Sequence, residues 1–159
     1  MKLLFAAIGA LVGATGPAHA EFSDEWNALA EEIEAGCDAM ESTLASGGVT
    51  PAPAKPLYLP DRLRGPFRPH MCVIVEFSID ASGAPQNVES IYRGPENLNY
   101  QFVRRTQGAV KKWRFDLEGT SPAEFSRLYA RMDFIPLGGW RYSIRYNYWN
   151  SGETGAGGE

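Results

Sequence analysis

The chain has 159 residues, 44% of them hydrophobic and 21% charged, with a net charge of −4 and two cysteines. That length accommodates one domain with extensions. The acidic balance gives no general electrostatic reason to bind nucleic acid, which is therefore not an expected partner.

The first twenty residues read as an export signal. Lys2 is the lone charge, residues 3–14 are apolar, and Ala18-His19-Ala20 is a small-x-small cleavage site. The run is too short to span a bilayer comfortably, and no stop-transfer pattern follows. Cleavage after Ala20 removes Lys2, reducing 15 basic residues to 14 against 19 acidic ones and the net charge to −5. The expected location is the periplasm. An uncleaved segment would instead hold the chain in the inner membrane facing the periplasm, and membrane association is expected only in that case.

Phe22, Trp26, Leu29, Ile33, Cys37, Met40 and Leu44 recur at intervals of four and three. This predicts an amphipathic helix over residues 23–45, filling the segment 21–46. Asp24, Glu25, Glu31, Glu32 and Glu34 read as its solvated face, because they lack the alternating loop spacing of a calcium site. Gly36 weakens the helix slightly. Residues 47–56, with glycines and alternating prolines, form an expected linker. A helical turn with Pro60 at its first position is expected next, over residues 57–65.

The centre of the chain is residues 72–115. Val73, Val75, Phe77 and Ile79 alternate with Cys72, Ile74, Glu76, Ser78 and Asp80, the pattern of a half-buried strand. A turn through Gly83 leads to a return strand over residues 86–92, stopped by Arg93-Gly94-Pro95. From Leu98 the period changes to that of a helix, with Leu98, Phe102, Thr106, Ala109, Val110 and Trp113 on one face. Beyond a turn-prone stretch, Leu128, Ala130, Met132 and Phe134 alternate with Arg127, Tyr129, Arg131 and Asp133, a strand with one dry and one wet side. Pro136-Leu137-Gly138-Gly139 breaks it. Trp140, Tyr142, Ile144, Tyr146 and Tyr148 then alternate with Arg141, Ser143, Arg145 and Asn147. Gly138-Gly139 between two alternating runs signals a hairpin, so this last strand is expected to fold back on its predecessor and occupy its edge. Residues 151–159 form a glycine-rich tail.

Residues 73–83, Val88 and the run Gly108-Ala109-Val110-Lys111-Lys112-Trp113-Arg114-Phe115 closely resemble the TonB C-terminal domain. Tyr58-Leu59-Pro60-x-Arg62 resembles the segment before that family's first strand, and Arg131-x-Asp133-Phe134-x-Pro136-Leu137 its last core strand. The resemblance covers residues 57–137, and the aromatic strand of residues 138–150 follows it. It implies an α+β fold: a small antiparallel sheet in β-β-α-β order with one helix packed across it, here with an extra C-terminal strand and a preceding amphipathic helix. It also implies recognition of a protein or peptide partner in the cell envelope, such as a TonB-dependent outer-membrane receptor, by addition of a strand to a sheet edge. The positions carried over are Leu57, Tyr58, Pro60, Arg127, Tyr129, Arg131 and Asp133; the aromatic strand adds Trp140 and Tyr142. The cleavable start and short Pro-rich segment depart from the energy-transducing members. Two alternatives stay open: a transducer anchored in the inner membrane, and a structural envelope protein without a transport role.

Two cysteines in an exported chain favour a Cys37–Cys72 disulfide, which would close a long loop and stabilise by about 3–4 kcal/mol on the chain-entropy model. Two cysteines without histidines at ligand spacing do not complete a metal site. His70 is the one histidine beyond the signal. No nucleophile elbow, paired-His motif or phosphate loop is present, so neither catalysis nor a cofactor is expected. Arg104-Arg105 and Lys111-Lys112 read first as a solvated helix face.

Overall fold

The computed structural model describes residues 23–44, 46–60, 69–138 and 141–151. The expected export signal, the turn following Pro60, Trp140 and the tail from residue 152 lie outside them. Helix α1 (Asp24–Thr43) is capped by Ser23, whose hydroxyl accepts from the Trp26 amide at 3.4 Å, with Asp24 and Glu25 in the favourable first turn. No helix among the described residues is long and apolar enough to cross a membrane.

Strands β2 (Met71–Ile79) and β3 (Pro85–Gly94) form the expected hairpin. β3 runs two residues further than its pattern indicated, because Arg93 and Gly94 still pair with Val73 and Cys72. Asp80 organises the turn, accepting from the Ser82 amide at 2.8 Å, the Ser82 hydroxyl at 2.6 Å and the Ala84 amide at 3.0 Å. Those donors, the Ser82 hydroxyl foremost, hold its carboxyl down at about 2. Gly83 has φ +77°, and a Cβ there would lie 2.0 Å from the Phe115 carbonyl oxygen. Its own carbonyl accepts from the Phe115 amide at 3.0 Å. Gly83→Ala adds left-handed strain to a backbone clash and should destabilise by about 2–4 kcal/mol. A urea midpoint within error of the parent would show that the turn can reorganise.

Helix α2 (Tyr100–Val110) starts at Asn99, whose side chain accepts from the Gln101 amide at 3.0 Å. Leu98, Phe102, Thr106, Ala109, Val110 and Trp113 are all buried, as their spacing predicts. Trp113 meets Phe77 edge-on at 6.1 Å and donates from Nε1 to the Tyr58 carbonyl at 2.8 Å. Ala52–Pro53 (β1) pairs with Phe115–Asp116 (β4), so the expected linker is tied to the domain rather than spanning free.

The main sheet is antiparallel in the order β3-β2-β5-β6, with β5 at Leu128–Gly138 and β6 at Arg141–Asn150. β6 folds back along β5 as its alternation and the Gly-Gly signal predict, from Leu128↔Asn150 to Gly138↔Arg141. Pro136 does not end β5. Pairing with β2 stops at Phe134, so the missing amide of Pro136 falls where β5 has lost one neighbour.

One expectation needs correction. β2, read as half-buried, and the face of β5 read as wet are both covered, since Cys72, Ile74, Tyr129, Arg131 and Asp133 are buried. α2 covers one face of the sheet over the main core. α1 covers the other, with Ile33 and Cys37 packed on Cys72, and Met40 and Leu44 against the cluster of Ile74, Tyr129 and Trp149. Two of these contacts explain its position: the Cys37–Cys72 disulfide, with both sulfurs buried, and the apolar stripe beside it. The α+β fold is thus three layers, helix–sheet–helix.

Candidate functional site

The residues singled out in the sequence fall into separate environments. Arg127 is exposed ahead of β5, its Nε 3.8 Å from Glu76. Tyr129, Arg131 and Asp133 lie beneath α1, with the Tyr129 ring 5.6 Å from that of Trp149. Leu57 and Tyr58 are half-buried against the main core and Pro60 is buried. Tyr142 is half-buried on β6, its ring 5.7 Å from Phe102. The position of Trp140 lies outside the described residues. β5 is flanked by β2 and β6, so residues 127–133 do not form a sheet edge. A peptide strand cannot be added to them directly.

Beneath α1 the charged residues form one network. Arg131 donates from Nη1 to Asp38 at 2.6 Å and Glu41 at 2.8 Å, and from Nε and Nη2 to Asp133 at 3.1 and 2.9 Å. His70 Nε2 lies 2.8 Å from the same Asp133 oxygen, and its Nδ1 3.8 Å from Glu34. From β6, Arg145 donates to Glu34 at 2.9 Å and Asn147 to Glu41 at 2.6 Å. Burial pushes the Asp133 carboxyl up, but hydrogen bonds and charges from His70 and Arg131 outweigh it and leave it below the ordinary value. Burial likewise pushes Arg131 down, and its bonds to Asp38, Asp133 and Glu41 carry it above the usual guanidinium value. The hydrogen bond to Glu34 raises Arg145.

This arrangement fastens α1 across β5 and β6. Each carboxylate in it faces a cation or an amide donor, and both His70 nitrogens face carboxylates. Glu34, Asp38 and Glu41 recur at four and three beside Ile33, Cys37 and Met40, so a second helical stripe was available as a signal. Among the described residues no group of three or more His, Cys, Asp or Glu side chains is arranged to hold a metal ion.

The sheet has two outer strands of different character. β3 begins at Pro85, carries Asn87 at φ 53°, and shows register irregularities at two places along β2. Such bulges interrupt the ladder and discourage pairing. α1 and α2 also flank it across a groove of about 880 Å³, lined in part by Ile33, Tyr92, Tyr100 and Val103. β6 differs. Its register with β5 is unbroken from Asn150 to Tyr142, and no strand among the described residues pairs with its outer side. Toward its end the Asn150 carbonyl accepts from the Gly47 amide at 3.2 Å, and the Tyr148 hydroxyl donates to the Pro51 carbonyl at 3.2 Å. Residues 141–147 are exposed apart from the half-buried Tyr142 and Ile144. No protein-family model, curated protein or solved structure matches the chain.

Proposed function

We propose that the chain is an exported, TonB C-terminal-like protein-binding module that takes up an extended segment of an envelope partner as an added strand on the outer edge of β6. The observation that carries this reading is the long, regular outer edge of β6, along which no described strand pairs, beside a β3 edge blunted by bulges and proline. Backbone hydrogen bonds to that edge supply affinity. The two side-chain rows of β6, Tyr142, Ile144, Tyr146 and Tyr148 on one face and Arg141, Ser143, Arg145 and Asn147 on the other, supply selectivity. A partner also gives a reason to retain an edge that is otherwise an aggregation liability.

Addition outside β6 is favoured over exchange for β6. Tyr148 lies 5.5 Å from Phe115 and 5.9 Å from Trp113, Trp149 is buried, and Tyr142, Ile144 and Tyr148 pack on the main core. Pulling the strand out would expose all of these. The partner class implied by the family resemblance is a TonB-dependent outer-membrane receptor.

The test is a titration of the isotopically labelled exported chain with a synthetic peptide from the N-terminal segment of such a receptor. Backbone amides of residues 141–147 should shift, and alternate ones should become protected from solvent exchange. Shifts confined to Pro85–Gly94, or none at all, would overturn the reading.

A further inference from the structure

Between residues 55–59 and the end of α2 lies a groove of about 790 Å³. Among the described residues every charged side chain lining it is a cation: Lys55, Lys111, Lys112 and Arg114, all exposed. Leu57 and Tyr58, both half-buried, supply an apolar floor. Among the described residues none of the four cations has a carboxylate partner, whereas Arg127, Arg131 and Arg145 each do. On a chain of net charge −4 this is a local reversal of sign.

Part of the charge answers to the helix itself. Lys111 and Lys112 follow the last turn of α2, where the dipole favours cations. Arg114 donates from Nη1 to the Lys111 and Trp113 carbonyls. Lys55 has no such reason to be there. It comes from the opposite wall, set in place where the neighbouring Ala54 amide donates to the Arg114 carbonyl at 2.9 Å. The Lys112 ammonium stands 4.0 Å from the centroid of the Tyr58 ring, which positions the charge without neutralising it.

We propose that this groove binds an acidic peptide segment, with carboxylates on Lys55, Lys111, Lys112 and Arg114 and an apolar side chain on the Leu57 and Tyr58 floor. A recess with half-buried apolar residues suits a side chain entering it. A membrane anchor would instead need exposed apolar side chains projecting beside the cations. The groove is a different surface from the β6 edge, and its occupancy does not depend on strand addition.

The probes are a fluorescein-labelled peptide of alternating Glu and Val, its Lys and Val counterpart, and vesicles of phosphatidylglycerol with phosphatidylcholine. The exported chain should bind the acidic peptide, more weakly as salt rises, and not the basic one. K111E with K112E should raise Kd by about tenfold or more, and K55E alone by about threefold. R104E with R105E makes the same charge change on α2 itself, outside the groove, and should alter Kd by less than about twofold. Equal losses in both double variants, equal binding of the two peptides, or preference for vesicles would overturn the proposal.

Discussion

Arg131→Ala should destabilise the protein by about 3–5 kcal/mol, the loss expected when one member of a buried, hydrogen-bonded charge pair is removed. Arg131 is only 4% exposed and Asp133 2%, so solvent cannot replace the missing guanidinium. The substitution leaves Asp133 with His70 at 2.8 Å and Arg145 at 3.6 Å, takes from Asp38 its Arg131 partner, and leaves Glu41 with Asn147. Arg131→Met combined with Asp133→Leu removes both charges and should recover most of the loss. Urea denaturation of Arg131→Ala and of the double variant measures this; a loss in Arg131→Ala below about 1 kcal/mol would place the network among weak surface pairs.

The same residues fix a pH dependence. The Asp133 carboxyl is held below its ordinary value in the folded protein. Its stabilising contribution is therefore present above the unfolded pKa, about 3.9, and is lost as pH falls through the lower folded value. Without Arg131 the carboxyl loses a hydrogen bond and a charge that lower it, while burial still favours the protonated form and is opposed by less. The deficit of Arg131→Ala should be widest near neutral pH and narrow toward acid; a deficit constant with pH would mean that Asp133 does not carry it.

Removing the disulfide is the second large effect. Cys37 and Cys72 are 35 residues apart, and closing that loop restricts the unfolded chain by about 3–4 kcal/mol on the entropy model. Cys37→Ala with Cys72→Ala should lower stability by about that amount, a little more if the cavity beside Ile33 and Gly94 does not close. Adding Arg131→Ala to the cysteine double variant should cost less than the sum of the separate losses, since both hold α1 on the sheet. Full additivity would show that the staple and the ionic network act on separate opening events.

The hairpin around Asp80 and Gly83, the buried face of α2 and the return of β6 were legible because each is local. Periods of two and 3.6, with turn residues between them, specify which side chains share a face before any partner is known. The disulfide was legible for a different reason: a chain whose start reads as an export signal and that carries two cysteines has few ways to use them. The placement of Arg131 and Asp133 was not. Alternation along β5 groups them with Tyr129 on one face, but polar residues on a strand face read the same whether water or a helix lies above. The bulges of β3 and the pairing of Ala52–Pro53 with Phe115–Asp116 are also invisible locally, since pairing register depends on a distant strand.

By itself the sequence determined the α+β class, the order of the two long helices and the four main-sheet strands, the paired cysteines and the strand that closes on β5. Only the tertiary structure decided that α1 seals the second face and that, among the described residues, the regular outer edge belongs to β6. The reason is physical. A face is a property of one segment's geometry, whereas burial and edge status depend on which other segments arrive. Here they are set by the Cys37–Cys72 staple and by Glu34, Asp38 and Glu41 meeting Arg145, Arg131 and Asn147 across the sheet.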